Sequence, residues 1–281
     1  MKQLGLIGYP LSHSFSKRYF NEKFEKEGLA HTWHYELFSI ENVTELPGIL
    51  SANEILTQSG LRGGNFVGMN VTIPHKETVM PFMDELDETA QAIGAVNCIK
   101  ISYPNGKPYL KGYNTDYYGF QKSLLGLLEQ KNEDVELSSP VCYAHEFQND
   151  NDKGLKALIL GTGGAAKAVA YAFKNLNIPY KYVSRKAVEN GLIYEDLTES
   201  VISEYRLLIN TTPLGMTPNT EGCPDIPYEG IGNQHFMYDL VYNPEVTTFM
   251  KRGLENGAKA KSGLDMLYFQ AEKGWEIWNQ P

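Results

Sequence analysis

At 281 residues the chain is long enough to bury a large core, in one large or two medium domains. Its composition, 42% hydrophobic and 21% charged, excludes a disordered or fibrous chain. A net charge of −9 argues against nucleic acid as the main partner and leaves any bound anion to local donors.

The first strand signal is Gln3–Gly8, followed by a Ser-rich turn and a helix over Ser16–Glu27. Strands are expected at Thr32–Phe38 and Asn65–Val71, with a helix over Asp84–Ile93. Val96–Ser102 and Tyr109–Tyr113 flank Pro104-Asn-Gly-Lys107 and read as a hairpin, because Asn-Gly suits a tight turn. From Asp116 onward, Phe120, Leu124, Leu127 and Leu128 share one face of a helix. The runs Asn70-Val-Thr-Ile-Pro-His-Lys76 and Gly112-Tyr-Asn-Thr-Asp116 therefore place a lysine and an aspartate at the ends of two strands. An ammonium can donate a proton to an oxygen gaining charge, and a carboxylate can orient it. Each residue also has an ordinary reading, Asp116 as a helix cap and Lys76 as a surface residue of a first turn.

Residues 130–153 are polar, acidic and aperiodic, which predicts a loop insertion. A strand follows at Leu155–Leu160, then the loop Gly161-Thr-Gly-Gly164, an Ala-rich helix to Asn177, and strands at Tyr180–Val183, Arg206–Asn210 and His235–Leu240. Such alternation with short connections implies a parallel, doubly wound sheet. A final helix over Ser262–Trp278 offers Leu264, Leu267, Tyr268, Ala271, Trp275 and Trp278 for packing, with Gln270 as a costly buried amide unless it finds a polar partner. The expected class is α/β. One α/β unit spans 1–115 and is completed by 242–281, whose helix returns to it. A Rossmann-like unit spans 116–241.

The segment Leu158-Ile-Leu-Gly161-Thr-Gly163-Gly164-Ala-Ala166 fits strand, G-x-G-x-x-A, helix. Gly161 permits the turn, Gly163 lets a pyrophosphate approach the backbone, and Ala166 allows close helix packing. The alternative is a glycine turn without a ligand. An NAD enzyme usually carries Asp or Glu at the end of the second strand, whereas this chain has Val183-Ser-Arg-Lys186. Ser184, Arg185 and Lys186 supply a hydroxyl, a guanidinium fork and an ammonium for a 2′-phosphate, which favours NADP; a solvated basic turn is the other reading.

The three cysteines, Cys98, Cys142 and Cys223, form no CxxC or zinc spacing and are expected as reduced thiols. The histidines show no HExxH and there is no GxSxG, so no metal site and no serine nucleophile are expected, and His13 and His75 read as local hydrogen-bonding or packing residues. No apolar run approaches the ~18–20 residues that span a bilayer, and no signal-peptide pattern precedes Gln3. The expectation is a cytoplasmic protein with no membrane partner.

Taken in order, these motifs resemble the shikimate dehydrogenase family over nearly the whole chain except 130–153. The resemblance implies a substrate domain at the N-terminus and an NADP-binding domain after it. It implies that Ser14 and Ser16 bind the substrate carboxylate, that Thr72, Asn97, Asn114, Tyr242 and Gln270 contact substrate, and that Lys76 and Asp116 are catalytic. Gly161, Gly163, Gly164 and Ala165 would form the NADP loop with Ser184, Arg185 and Lys186 at the adenosine phosphate. Thr211, Thr212 and Met216 would lie beside the nicotinamide, with Gly263 among the closing elements. Three positions depart from the family's pattern: Lys17 where Pro is usual, Cys98 where Thr is usual, and Ser184-Arg185-Lys186 where Asn-Arg-Thr is usual. The implied reaction is reversible reduction of 3-dehydroshikimate to shikimate by NADPH. An NAD-using quinate/shikimate dehydrogenase and a non-catalytic shikimate-binding sensor are the alternatives. The expected partners are small molecules, with the chain as a monomer or homodimer.

Overall fold

In a computed structural model covering residues 1–11, 14–51, 55–57, 60–62, 65–129 and 154–280, the chain divides into two units, Met1–Thr115 with Ala271–Pro281, and Asp116–Gln270. In the first unit β1 (Lys2–Gly8) is parallel to β2 (Trp33–Ser39) on one side and to β5 (Asn65–Val71) on the other. Those neighbours pair both edges of β1, a core covers each of its faces, and its apolar residues alternate between the two cores. Leu4 and Leu6 face Phe20, Phe24, Trp33 and Tyr35, while Ile7 faces Phe38, Met69, Val71 and Ile99.

Beyond β5 the sheet turns antiparallel through β7 (Cys98–Ser102) and β8 (Tyr109–Tyr113), and β6 (Glu85–Leu86) pairs with β8 at the edge. The expected hairpin forms, with Asn105 and Gly106 both at positive φ in its turn. A short antiparallel ribbon joins β3 (Ile55–Thr57) to β4 (Gly60–Arg62). The helices of this unit are α1 (Phe15–Lys26), α2 (Leu46–Ser51) and α3 (Glu88–Ile93).

The expected helix over Asp84–Ile93 is shorter than its apolar pattern suggested. Asp87 caps α3 by accepting the Ala90 N–H at 2.8 Å, and the preceding Asp84 carboxylate accepts the Leu110 N–H at 2.8 Å. Those two side chains hold the segment before Asp87 as an edge strand instead of a first helical turn.

The second unit carries a wholly parallel sheet in the order β11-β10-β9-β12-β13-β14. Its strands are β9 (Ala157–Leu160), β10 (Tyr180–Ser184), β11 (Gly191–Ile193), β12 (Leu207–Asn210), β13 (Phe236–Asp239) and β14 (Lys259–Ser262). Its helices are α4 (Asp116–Glu129), α5 (Gly164–Asn175), α6 (Glu199–Glu204), α7 (Thr248–Glu255) and the start of α8 (Leu264–Asn279). One core packs α4 and α5 on the sheet through Phe120, Leu124, Val169 and Phe173; another gathers Leu158, Val183, Leu208, Met237 and Phe249. The expected insertion at 130–153 lies outside the described residues.

The return to the first unit comes at Ala271, within α8, and not at 242. Residues beyond Tyr242 continue the second sheet because β14 pairs in parallel with β13. The Lys-Ala-Lys-Ser sequence of β14 has no apolar run, as suits an edge strand, and so gave no strand signal. Past Ala271, α8 is fastened to the first unit by Trp278. Its indole N–H donates to the Ile99 carbonyl at 2.9 Å, its ring lies against Gly68 where any Cβ would collide, and it is 3% exposed. Trp278→Ala is expected to lower unfolding free energy by about 3–5 kcal/mol, read by chemical denaturation. A loss below about 1 kcal/mol would show that the indole is not an anchor.

Candidate active site

In the first unit Thr72, Lys76, Asn97 and Asn114 sit at or just beyond strand ends that buried hydrogen bonds lace together. Asn97, 3% exposed, accepts the Thr115 N–H at 2.6 Å through Oδ1 and donates to Thr115 Oγ1 at 3.0 Å through Nδ2. Its own carbonyl accepts the Val71 N–H at 2.8 Å, next to Thr72, and the Asn70 amide at 3.3 Å. Asn114 donates to the Ala95 carbonyl at 2.9 Å, and the Val96 N–H donates to the Lys76 carbonyl at 2.7 Å. Lys76, Thr72, Asn97 and Asn114 are thereby joined through the 94–97 turn. Asp116 follows Thr115 directly as the first residue of α4 and is buried.

Asn70 also accepts the Tyr35 hydroxyl at 2.7 Å, and Ser16 hydrogen-bonds that same hydroxyl. Burial raises the Tyr35 phenol well above its ordinary range, so it stays neutral and serves as a relay. Ser14 is the N-cap of α1, where its Oγ accepts the Lys17 N–H at 3.4 Å. Both serines are half-buried.

Lys17, one of the departures, pairs with the fully buried Glu36 carboxylate, whose second oxygen is 3.3 Å from His34 Nε2. A buried carboxylate requires such partners. Cys98, the second departure, is buried among Ala271, Ile277 and Trp278. His75 is 3% exposed and donates through Nε2 to the Ile40 carbonyl at 2.7 Å, which is a packing role; His13 lies outside the described residues.

In the second unit the glycine loop joins β9 to α5. Gly161 has φ +116°, and a Cβ there would stand 2.6 Å from Thr211 Oγ1, so the turn requires glycine. Gly163 is the N-cap of α5 but offers no side-chain cap, no acidic residue follows in the first turn, and the space around it is open. The first-turn amides of Gly164 and Ala165 are thus suited to an anion, as a dinucleotide pyrophosphate requires. At the end of β10, Arg185 and Lys186 are exposed and the Ser184 Oγ accepts the Lys186 N–H at 3.3 Å. Cationic and hydroxyl donors at that strand end fit a ribose 2′-phosphate.

The loop after β12 is organised by Asn210. Its Oδ1 accepts the Thr212 N–H at 3.0 Å and the Thr212 hydroxyl at 2.7 Å, and its Nδ2 donates to Asp239 at 2.9 Å. Thr211 Oγ1 donates to the Leu160 carbonyl at 2.7 Å, so the glycine loop and this loop share an edge. Met216 stands exposed at its far end. Gly263 packs against the Leu240 carbonyl with no room for a side chain. Tyr242 is half-buried, and Gln270, 6% exposed, donates to the Leu267 carbonyl at 2.9 Å within α8.

Each unit thus gathers its own share of the candidate residues at strand ends. Sequence reasoning assigned no role to Asn70, Tyr35, Thr115, Asn210 or Asp239, which hold those residues in place. Asn70 begins the run that carries Lys76, and Asn210 and Asp239 stand at or beside the ends of expected strands shortly before Thr211 and Tyr242, so their position was a usable signal; Tyr35, in an ordinary apolar strand, carried none. Among the described residues no group of three His, Cys, Asp or Glu side chains is arranged for a metal ion, and no helix is long and apolar enough to cross a membrane.

Residues 6–99 match the family profile described as the shikimate dehydrogenase substrate binding domain. The shikimate dehydrogenase (NADP(+)) of Carboxydothermus hydrogenoformans is 38% identical over 293 residues, spanning 99% of this chain and 91% of the relative. Its counterpart from Desulforamulus reducens is 34% identical over 295 residues, spanning 98% and 88%. Among solved structures, shikimate 5-dehydrogenase from Thermus thermophilus in complex with NADP(H) and shikimate matches with a TM-score of 0.73 at 26% identity, covering 99% of this chain and 94% of that one. Shikimate dehydrogenase 1 from Peptoclostridium difficile matches with a TM-score of 0.71 at 31% identity, covering 99% and 91%.

Burial raises the Asp239 carboxyl from 3.8 to about 6, against the opposing pull of Thr247, Val241 and Asn210. A raised carboxyl binds protons more readily folded than unfolded. Its contribution to stability therefore grows as pH falls from about 6 and is absent above that value. The full contribution is about 3 kcal/mol. Stability of the wild type relative to Asp239→Asn, which does not titrate, is expected to rise between about pH 6.5 and pH 4 in melts across a pH series. Parallel curves would refute the shift.

Proposed function

The chain belongs to the shikimate dehydrogenase family, and from that premise we propose that it catalyses the NADP-linked, reversible interconversion of shikimate and 3-dehydroshikimate. The geometry that carries this reading is the lacing of Lys76, Thr72, Asn97 and Asn114 through the 94–97 turn, with Asp116 following Thr115, whose N–H Asn97 accepts. In the oxidative direction the substrate's ring alcohol loses a hydride from carbon and a proton from oxygen. Bound NADP supplies the nicotinamide that takes the hydride.

In this proposal the Ser14 and Ser16 hydroxyls hold the ring carboxylate, and Thr72, Asn97, Asn114, Tyr242 and Gln270 order the ring hydroxyls. Lys76 contacts the reacting oxygen and, with Asp116, accepts or returns its proton. Because Asn97 and Asn114 are already engaged with Thr115 and Ala95, they are held in fixed orientation and present a preorganised contact surface. The amides after Gly163 hold the pyrophosphate, with Gly161, Gly164 and Ala165 shaping the turn. Ser184, Arg185 and Lys186 hold the 2′-phosphate, and Thr211, Thr212, Met216 and Gly263 line the nicotinamide end. The first unit is the substrate domain and the second the NADP domain. A monomer or homodimer in the cytoplasm completes the proposal.

The direct test mixes the protein with shikimate and NADP+, and in parallel arms with NAD+ or quinate, while absorbance of the reduced nicotinamide is followed. Turnover is expected with shikimate and NADP+; turnover with no pair sinks the reading. Lys76→Ala is expected to lower kcat by roughly 10²–10⁴-fold with a smaller change in KM, and near wild-type turnover removes Lys76 from its role. Arg185→Ala should weaken NADP+ roughly 10–100-fold, the range for a charge-assisted contact, and leave NAD+ use unchanged; equal losses for both cofactors would place Arg185 elsewhere.

A further inference from the structure

Asp239 closes β13 and is fully buried, yet the groups that bear on its carboxyl are neutral hydrogen-bond donors. Its Oδ1 accepts the Asn210 amide at 2.9 Å and the Val241 N–H at 3.0 Å, while its Oδ2 accepts the Thr247 hydroxyl at 2.6 Å. Asn210 passes that hold onward to Thr212, by both N–H and hydroxyl, and to the Leu214 carbonyl at 3.4 Å. A second tie runs beside the first, from the Thr217 N–H to the Asn243 carbonyl at 3.1 Å. One carboxylate thus stands between two segments: the 211–216 loop, which carries the proposed nicotinamide contacts, and the 241–244 segment, which carries Tyr242.

We propose that Asp239 is a positioning residue, whose carboxylate locks the 211–216 loop and the 241–244 segment into one rigid element and so sets the nicotinamide end of the cofactor site for hydride transfer. The inference rests on the functional reading above. At this carboxylate chemistry and stability pull in opposite directions. Burying a carboxylate among neutral donors is unfavourable, and an amide of the same shape satisfies most of the same hydrogen bonds without a charge. What the charge adds is strength: bonds accepted by an ionised oxygen are shorter and roughly twice as strong as neutral ones, and in a buried network each polarises the next. A group retained against stability at a strand end beside a ligand loop is the pattern of function opposing stability.

Asp239→Asn separates the two roles. Single-turnover hydride transfer at saturating shikimate and NADP+ is expected to slow roughly 10–100-fold, the scale of a small misplacement of reacting groups. The NADP+ dissociation constant is expected to stay within about threefold of wild type, as a positioning effect requires. At neutral pH the melting temperature should equal or exceed that of the wild type, which a merely structural role would not produce. Hydride transfer within about twofold of wild type overturns the proposal. So does slowing accompanied by a lower melting temperature or by an equal loss of NADP+ affinity. If Asp239→Asn does not fold, Thr247→Val decides: it should slow hydride transfer less severely and Thr247→Ser should restore it, while equal rates for all three proteins overturn the idea. The wild type is run alongside. If it fails to oxidise shikimate with NADP+, the functional reading falls and the inference falls with it, whereas an active wild type isolates the result to Asp239.

Discussion

The buried amide of Asn97 is the constraint on which the first unit's architecture turns. Within a dry strand end every polar atom needs a partner, and Asn97 satisfies its own by accepting the N–H of Thr115 and donating to its hydroxyl. The two outer ends of the β7–β8 hairpin are thus fixed to one another. The relay continues from its carbonyl to Asn70, then to the Tyr35 hydroxyl and Ser16. Side chains that address a ligand are consequently mounted on groups that cannot shift without leaving a buried donor unpaired, at a penalty of about 1–3 kcal/mol each.

The second unit repeats the device at its own strand ends. Asn210 accepts the N–H of a threonine two residues on, as Asn97 accepts that of Thr115, and donates its amide to a neighbouring strand. Both asparagines follow a buried apolar stretch, where an amide can bridge strands that a hydrophobic side chain would only pack between. The parallel order of this sheet puts the ends of β9, β10 and β12 on one edge, and with them Gly161, Ser184 and Thr211. That edge is where an open α/β sheet binds ligands, because loops diverge there and helix amides point outward.

The strongly periodic elements were legible from residue order: β1, β5, β9, α4, the β7–β8 hairpin and the glycine turn all follow from patterns that short-range sterics and burial enforce. The elements that were not legible share a cause. The helix before Ile93 is cut short by Asp84 and Asp87, whose hydrogen bonds to Leu110 and Ala90 decide between strand and helix where periodicity could not. β14 has no apolar alternation because only its edge position makes it a strand. The chain's return at Ala271 depends on where Trp278 docks against Gly68, a contact between residues more than two hundred positions apart. Lys17 stood out only as a departure from the family's usual Pro; its partner Glu36 lies in β2, beyond the reach of any local pattern.

Residue order alone was enough for the α/β class, the glycine turn, the Ser-Arg-Lys cluster and the motifs that carry Lys76 and Asp116, because each is a local run whose chemistry and spacing are visible together. Mutual support was not visible there. That Asn97 serves Thr115, that Tyr35 links Ser16 to Asn70, and that Asp239 joins two loops through Asn210 are facts of three-dimensional proximity. Desolvation gives the physical reason: a polar side chain's demand for a partner arises only on burial, and which partner meets it depends on the strands that burial brings together.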